Sequence, residues 1–440
     1  MGFRVIMKPL LLIFSAAVLL CGGAVSAHAG EDDVKPQKTK SGWSVAPMPT
    51  ASYTSDTGLQ LGALAEIYNY GDGRDYPVYR QKIYLDFGWA TKGSTYGHVF
   101  FDAPSIFPGI RMTAAATYKV SKMYPFYGFN GLAAPYDETL DFQDGKQTGW
   151  YNTNRTSLRL LTDWEGVIRG PLKWNAGVTF WSIRFHELDA KLPAAHMNLF
   201  REYQNVGLIG KREAEGGKHL EFKAGLSWDS RDFEPAPRRG IWAEAYFIGS
   251  PDLFKTGFAY LKFAAHWRHY VPIVFDKLTF AYHLAYQGTV AGEAPFYMQT
   301  NIATNYLKQV DYDGLGSYNS VRGTLYNRLV GAGYAWANIE LRYSFPSFDW
   351  LGVNWRFGVH PLLDLGKVVQ PYRLQQQMDT ELMNVSLLYS HTQDQLHVCA
   401  GAGAKLAVDY NFILSAEWAR SFNRQQDGPP TLTLGVNYIF

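Results

Sequence analysis

The final residues of the chain follow a two-residue period. Leu432, Leu434, Val436, Tyr438 and Phe440 share one face, and the residues between them are mostly polar or small. A period of two predicts a β-strand with one apolar face. In an outer-membrane barrel, the last strand closes against the first, and its aromatic end lies in an interfacial girdle. The alternative is a buried C-terminal strand of a soluble β-sandwich.

Similar alternation predicts sixteen strands along the chain. In the eleventh of them, Leu278, Phe280 and Tyr282 face away from Thr279 and His283. The polar residues would line an interior, and the apolar residues would face lipid. The predicted strands span residues 43–54, 57–69, 79–92, 95–105, 109–121, 151–165, 171–187, 218–230, 239–249, 255–270, 276–290, 331–345, 352–365, 395–408, 411–421 and 430–440.

The lengths of the connections support a barrel. The four longest are 122–150, 188–217, 291–330 and 366–394, and each follows an odd-numbered strand. Connections after even-numbered strands are short. Long loops on one rim and short turns on the other are typical of outer-membrane barrels, whereas a soluble sandwich has no reason to sort its loops. The sequence therefore predicts an all-β fold, a 16-stranded antiparallel transmembrane β-barrel with both termini on the periplasmic side.

The N-terminus predicts export. Arg4 and Lys8 precede an apolar stretch over residues 9–20, and Ala27-His28-Ala29 is a small-x-small cleavage site. This arrangement is typical of a secretory signal peptide. The expected organisation is a signal peptide over 1–29, a short periplasmic lead over 30–42 and a barrel over 43–440.

Composition narrows the class of protein. The signal contains two of the 41 basic residues, so the mature chain carries 39 residues of each sign. A nucleic-acid partner would need a basic surplus and is not expected. Aromatic residues make up 16% of the chain, as interfacial girdles require. No apolar run after the signal approaches the ~18 residues of a membrane helix, although 47% of residues are hydrophobic. Alternating barrel strands reconcile these facts.

We find no arrangement of residues for catalysis, for a cofactor or for a metal ion. His266 and His269 would lie on opposite faces of a strand, so their spacing argues against a shared ion. Ser317 lacks the flanking glycines of a nucleophile elbow. Cys399 remains alone after signal removal and fits a small residue of the strand wall. The sequence therefore predicts that the protein is not an enzyme.

Two acidic segments are weak candidates for cation binding. The four acids of residues 137–144, Asp141 among them, are expected in a solvated loop. Residues 311–314 resemble the start of a calcium loop, but Ser320 occupies the position of the closing glutamate.

Three short segments go beyond a generic barrel. Residues 228–240 contain Trp-Asp-Ser-Arg-Asp and then Pro-Arg-Arg-Gly, residues 320–324 read Ser-Val-Arg-Gly-Thr, and residues 362–366 read Leu-Leu-Asp-Leu-Gly. Their order and spacing resemble the BamA/TamA family of outer-membrane barrels, which also includes two-partner secretion transporters. That family has sixteen strands and carries D-x-R-D…P-x-x-G, Val-Arg-Gly-Phe/Tyr and Phe-x-Asp-x-Gly motifs. Thr324 and Leu362 replace the aromatic residues of the second and third motifs.

The resemblance implies a tether between a long loop and the barrel lumen. Arg322 of the loop would pair with Asp364 on a strand, because an unpaired charge in a narrow, partly dry lumen is costly. A bidentate Arg–carboxylate pair would also fix orientation. Gly323 would let the loop turn sharply beside the wall. The alternative is a solvated arginine in an extracellular loop. The expected tether residues are Val321, Arg322, Gly323, Asp364 and Gly366.

The first segment is expected at a periplasmic turn. Asp229, Arg231 and Asp232 would form a local turn brace, which we favour over a direct functional role. Pro237 and Gly240 would punctuate the turn before the next strand.

Insertases and secretion transporters of the family carry periplasmic POTRA domains. The dozen residues ahead of the first predicted strand are too few for such a domain. The resemblance therefore implies a POTRA-less outer-membrane protein of a Gram-negative bacterium that assists insertion or export of proteins or lipids. A separate periplasmic partner protein would replace the missing domains, and outer-membrane lipid and lipopolysaccharide are further expected partners.

The expected mechanism is opening of a weak seam between the first and last strands. Pro47 and Pro49 of the first strand cannot donate ladder hydrogen bonds, and Tyr438 and Phe440 would lie across the seam.

The alternative function is a passive outer-membrane pore or a structural surface protein. In that case Glu66, His283, Glu340 and Arg342 would line a wet channel.

Overall fold

In a computed structural model, the chain consists mainly of β-strands. The strands are β1 (Trp43–Thr54), β2 (Gly58–Asn69), β3 (Gln81–Ala90), β4 (Thr95–Phe107), β5 (Ile110–Pro125), β6 (Phe142–Gln143), β7 (Lys146–Gln147), β8 (Asn152–Arg169), β9 (Leu172–His186), β10 (Gly216–Asp229), β11 (Gly240–Ser250), β12 (Tyr260–Val274), β13 (Leu278–Gly292), β14 (Gly333–Ser344), β15 (Phe348–Trp350), β16 (Val353–Gln370), β17 (His397–Val408), β18 (Phe412–Ser421) and β19 (Thr431–Val436). The structure describes residues 41–436 except 55–57, 75, 77, 145, 235, 275–276, 305–313, 317–319, 351–352, 375–387, 391 and 409–411.

The long strands pair antiparallel in chain order, from β1 to β5, from β8 to β14 and from β16 to β19. The short β15 pairs with β16, and β6 and β7 form a separate hairpin. Twelve residue pairs join β1 to β2. The described residues of β1 and β19 are joined at two pairs, Tyr53↔Leu434 and Thr54↔Thr433. The chain is therefore all-β and antiparallel, as the alternation predicted.

The two faces of the sheet differ as the alternation predicted. On β13, His283 is buried, whereas Leu284 and Tyr286 are exposed. On β14, Glu340 is buried and the adjacent Leu341 is exposed. We call the face with the buried polar side chains the inner face and the opposite face the outer face. An apolar outer face suits a lipid environment, and it accounts for the many exposed aromatic and aliphatic residues.

Two strand boundaries differ from the prediction by five residues, more than any other boundary. The predicted strand 255–270 begins only at Tyr260, because Asp252 accepts hydrogen bonds from the backbone N–H groups of Thr256 and Gly257 and closes a turn there. The predicted strand 352–365 continues to Gln370 in β16, which pairs with β14 and β17 on its two sides.

Short helices lie in the connections. They are α1 (Glu138–Asp141), α2 (Leu199–Asn205), α3 (Lys211–Ala214), α4 (Phe296–Gln299) and α5 (Arg424–Asp427), with a 3₁₀ turn at Gly131–Ala133. No helix among the described residues is long and apolar enough to cross a membrane.

The four long connections pack together instead of extending into solvent. Their buried apolar residues form one cluster with residues of β9 and β12, and we call this cluster the loop core. Aromatic rings dominate it, with many edge-to-face contacts at centroid distances of 5–6 Å, which favour a fixed geometry. Its members are Phe126, Tyr127, Phe129, Tyr136, Tyr151, Trp181, Ile183, Leu199, Phe200, Tyr203, Leu208, Ile209, Tyr260, Ala294, Phe296, Tyr297, Met298, Leu325, Val330, Tyr372 and Leu374.

The loop core overturns one expectation about the acidic run. Asp141 is buried, where a solvated loop was expected, and accepts a hydrogen bond from the Tyr136 hydroxyl at 3.1 Å. Asp137, Glu138 and Asp144 are exposed. The short α1 turns Asp141 inward, which a run of acids in sequence does not reveal.

Candidate functional site

The connection between β13 and β14 reaches the inner face of the sheet at Arg322. The side chain of Arg322 is 2% exposed, and Asp364 on β16 is fully buried. The guanidinium donates from Nε to Oδ2 of Asp364 at 2.8 Å and from Nη2 to Oδ1 at 2.9 Å. The backbone N–H of Arg322 donates to the same Oδ2 at 2.9 Å. This bidentate pair fixes both the position and the orientation of the loop.

Two further carboxylates meet the same guanidinium. Its Nη1 atom lies 2.6 Å from Oε1 of Glu340 on β14 and 3.3 Å from Oε2 of Glu417 on β18. Arg342 pairs with Glu340 at 2.7 Å, and Lys405 on β17 lies 3.5 Å from Glu417. We call these six charged residues the tether cluster. Its members are Arg322, Arg342, Lys405, Glu340, Asp364 and Glu417.

The tether cluster holds equal numbers of positive and negative groups, all buried. Buried charges are tolerated when they are paired and hydrogen-bonded, so such a cluster is stable only as a set. Removal of one member would leave an opposite charge without compensation. The cluster therefore couples the loop to four neighbouring strands, β14, β16, β17 and β18.

The small and apolar residues around Arg322 explain why the loop can approach so closely. A Cβ atom added to Gly366 would lie 2.6 Å from Cγ2 of Val321, and one added to Gly323 would lie 2.8–2.9 Å from backbone atoms of Arg420 on β18. Gly323 also has a φ of 96°, which favours glycine. Its N–H donates to Oγ1 of Thr431, the first residue of β19, at 3.0 Å.

We predict that Gly366→Ala destabilises the folded protein by about 1–3 kcal/mol, because the added methyl group overlaps Val321. Val321→Ala in the same chain should recover part of this loss. The measurement is the free energy of unfolding in detergent micelles. Gly249→Ala is the matched control, since its Cβ would meet its nearest neighbour at an ordinary 3.6 Å. Equal losses for the two glycines would contradict the close packing.

Two carboxylates of the tether cluster and the neighbouring His360 on β16 form an arrangement of metal-ligand type. One ligand atom from each of Glu340, His360 and Glu417 lies within 4.8 Å of the others. Arg322 and Lys405 contact the same carboxylates. Because these cations already compensate the negative charge, the arrangement fits an ion-pair cluster better than a cation site.

The loop core contains a second buried polar junction. Oε1 of Glu213 in α3 accepts hydrogen bonds from the Tyr372 hydroxyl and from the backbone N–H of Phe296 at the start of α4. The Asn130 side chain contacts the backbone N–H and C=O of Tyr372 at 2.6 and 3.1 Å. The Arg328 guanidinium donates to backbone carbonyls in two other connections. These bonds join all the long connections into one cap.

Glu213 gives this cap a pH dependence. Burial raises the pKa of the Glu213 carboxyl above its ordinary value, and the hydrogen bonds from Tyr372 and Phe296 oppose this shift only in part. The folded state therefore holds the proton more tightly than the unfolded state. The stability contribution of Glu213 is complete at low pH and is lost as the pH rises through the raised pKa.

We predict that Glu213→Gln makes the thermal stability of the cap less dependent on pH between about pH 4 and about pH 8. Glutamine keeps the acceptor oxygen and cannot lose a proton. The measurement is the near-ultraviolet circular dichroism of the buried aromatic residues during heating. Glu215→Gln is the control because Glu215 is exposed nearby. An unchanged pH dependence in Glu213→Gln would contradict the role of this carboxyl.

The segment 229–240 forms a compact turn brace between β10 and β11. Arg231 pairs with Asp229 through two bonds of 2.8 Å, and its guanidinium lies 4.0 Å from the Trp242 ring centroid. Oδ1 of Asp232 accepts from three backbone N–H groups in the turn. Gly240 has a φ of 108°, and Pro237 is buried. These contacts stabilise the turn itself.

The expected seam residues are only partly described. Pro47 and Pro49 lie in β1 opposite Ala65 and Ala63 of β2. Tyr438 and Phe440 lie outside the described residues, as do Ser317 and the acids of 311–313. Cys399 is fully buried at the inner face beside Val321 and Leu329, in agreement with a small wall residue.

Three of the four residues suggested for a wet channel are buried. His283, Glu340 and Arg342 are enclosed, and His283 packs between His266 and Asn338 at 3.0 and 3.1 Å. Glu66 is half-buried and pairs with Lys82 at 2.7 Å. The expectation of solvated lining residues is therefore wrong for the first three, because loop segments cover this part of the inner face.

The sequence predicted Asp364 as the partner of Arg322 but did not predict Glu340, Glu417 and Lys405 as further neighbours. A sequence signal for these three was present, because they occupy inner positions of alternating strands, where ionised residues need partners. Their spacing across strands is what the sequence could not supply.

Comparison with known proteins agrees with the all-β antiparallel fold. The Omp85 superfamily domain matches residues 124–434. BamA from Haemophilus ducreyi lacking POTRA domains 1–3 is similar at 14% identity and a TM-score of 0.54, over 90% of this chain and 70% of that one. CdiB from Escherichia coli is similar at 11% identity and a TM-score of 0.54, over 91% of this chain and 63% of that one. No curated protein matches significantly.

Proposed function

Because the chain belongs to the Omp85 superfamily, we propose that it assists the insertion or export of proteins or lipids at the outer membrane. The chain is an outer-membrane protein of Gram-negative type. The proposed architecture is a closed sixteen-stranded barrel in which β19 returns to β1. The proposed action is local opening of the barrel wall, without bond chemistry.

The two prolines of β1 carry this proposal. Pro47 and Pro49 have no backbone N–H, so β1 lacks two donors for ladder hydrogen bonds. Among the described residues, which end at Val436, β1 and β19 pair at Tyr53↔Leu434 and Thr54↔Thr433. Because each missing ladder hydrogen bond lowers the cost of separating two strands, the line beside β1 is the proposed place of opening.

The tether cluster would stabilise one side of the opening. It fixes the long loop against β14, β16, β17 and β18, and Gly323 extends the contact to Thr431 of β19. The C-terminal strands would therefore move as one unit while β1 separates. In this proposal, Val321, Arg322, Gly323, Asp364 and Gly366 position the wall and do not touch a client.

A separate periplasmic protein is the proposed partner. CdiB and the truncated BamA are longer than the region that this chain matches. In the proposed arrangement, a partner supplies client capture at the periplasmic rim, where the turn brace with Asp229, Arg231, Asp232, Pro237 and Gly240 lies.

Reconstitution tests the proposed function. The full chain is inserted into lipid vesicles, and the folding of an added unfolded outer-membrane barrel is followed by its shift in gel mobility. The expected result is faster folding than in vesicles that contain the heat-denatured protein. Client folding rates equal to those in the control vesicles, for clients of several sizes and with or without periplasmic extract, would argue against assisted insertion.

The alternative of a passive pore or structural surface protein has weaker support. The loop core and the tether cluster fill part of the interior with packed side chains. A large, steady conductance in a planar bilayer, unaffected by substitutions at Arg322, would favour the pore.

A further inference from the structure

A rigid turn with an apolar tip lies between β11 and β12, on the rim that carries the long connections. Leu253 is 57% exposed and Phe254 is 42% exposed. The Asp252 carboxylate accepts bonds from the N–H and hydroxyl of Thr256 at 2.7 and 3.0 Å. Lys255 has a φ of 57°, a left-handed conformation that costs energy for a residue with a side chain. The turn is thus held in one shape with its apolar residues outside.

The tip of the turn lies on the outer face of the sheet. The Phe254 ring lies 5.8 Å from the ring of Phe180 on β9, whose neighbour Trp181 belongs to the inner loop core. Phe222 on β10 is exposed on the same outer face. Aromatic rings at the end of an apolar band are typical of the membrane interface. The position of the tip suits the level where acyl chains meet headgroups.

Cations surround this tip on the side away from the apolar band. Arg184 on β9 and Lys218 on β10 are exposed on the outer face, and they are diagonal neighbours because Arg184 lies opposite Gly216. Arg212 lies beside the turn, since a Cβ on Gly257 would come within 2.5 Å of its Nη1 atom. The exposed cations of this rim site are Arg184, Lys211, Arg212, Lys218 and Lys255.

The five cations of the rim site outnumber the acidic residues near them. Within the part of the chain that the structure describes, none of the five forms an ion pair. The acids of the same segments are Asp252, which is engaged within the turn, Glu213, which is buried in the cap, and the exposed Glu215. A positive rim directly above an aromatic, lipid-facing surface matches a lipid with a strongly anionic headgroup.

We propose that this rim site binds the phosphate groups of a bis-phosphorylated glycolipid of the outer leaflet. Arg184, Lys218 and Lys255 contact the phosphates, and Leu253 and Phe254 insert beside the acyl chains. The site depends on the outer-membrane setting and is independent of the proposed insertion activity. Each cation near an anionic lipid surface contributes a factor of roughly five to binding.

Native mass spectrometry of the detergent-purified full chain tests this site, with bis-phosphorylated lipid A as the probe. Arg184→Ser/Lys218→Ser should lower the bound fraction at limiting lipid by roughly tenfold or more. Leu253→Ser/Phe254→Ser should also lower it, since acyl contact is lost. Dephosphorylated lipid A should bind the unmodified chain weakly. Its bound fraction should be similar to that of intact lipid A on the Arg184→Ser/Lys218→Ser variant.

The matched control removes the same number of positive charges from the opposite rim. Arg169→Ser/Lys277→Ser changes two exposed cations at short turns and should leave lipid A binding unchanged. All variants are first checked for the gel-mobility shift of the folded barrel. An equal loss in both double variants, or equal binding of phosphatidylglycerol and lipid A, would overturn the proposal.

Discussion

Arg322→Ala should reduce the free energy of unfolding by about 3–5 kcal/mol, the largest stability effect that we expect of a single substitution here. The change leaves Asp364 without its bidentate partner and removes one of the cations from Glu340 and Glu417. An uncompensated buried charge costs more than the pair contributes. Denaturant unfolding in detergent micelles, with the loss of heat-modifiable gel mobility, measures the effect.

Arg424→Ala provides the matched control for this loss. Arg424 lies in α5, is exposed and forms no ion pair among the described residues, so its removal should change stability by less than about 0.5 kcal/mol. A loss for Arg322→Ala no larger than that of the control would show that the loop is not tethered through this residue.

A double-mutant cycle separates the pair from the rest of the cluster. Asp364→Asn in the Arg322→Ala background should cost less than Asp364→Asn alone, because the substitution then removes an unpaired charge. The expected coupling is within about 0.5–3 kcal/mol. Additive losses would mean that Arg322 stabilises the loop through Glu340 and Glu417 only.

A disulfide across the β1–β19 contact should abolish the proposed insertion activity. Thr54→Cys/Thr433→Cys joins residues that are direct neighbours in the ladder, in a background where Cys399 is replaced by Ala. If the wall must separate at this line, the oxidised protein should lose at least about tenfold in the rate of client folding, since a covalent bond cannot open on this timescale. The assay is vesicle reconstitution before and after reduction.

The control disulfide joins two strands that pair without a break from Cys399↔Ser421 to Val408↔Phe412. Ala404→Cys/Ala416→Cys links β17 to β18, where the proposal requires no movement. This variant should remain active when oxidised. Full activity of the locked β1–β19 variant would reject seam opening and leave the family assignment intact.

The alternation of residues determined most of the fold. Inner and outer faces of β13 and β14 follow directly from the period of two, because a strand turns successive side chains to opposite sides. The long connections are also where the sequence indicated them. Two strand ends differed most from the prediction, because the Asp252 turn and the extension of β16 to Gln370 depend on hydrogen bonds with neighbouring segments.

The candidate site was indicated by resemblance and by the identity of a few residues. The motif with Arg322 suggested Asp364 as its partner, and the structure brings these two side chains together. Glu340, Lys405 and Glu417 lie on three other strands, β14, β17 and β18. Register between strands decides which charges meet, and register does not follow from the alternation of one strand.

The sequence by itself determined the strand pattern, the apolar outer surface and the need for a partner to each inward charge. The tertiary structure alone decided that Gly366 receives Val321, that Gly323 lies against Arg420, and that aromatic residues of the long connections form one loop core. These contacts join residues that are distant in the chain. Local periodicity specifies the direction of a side chain, whereas the folding of the sheet specifies which side chains it meets.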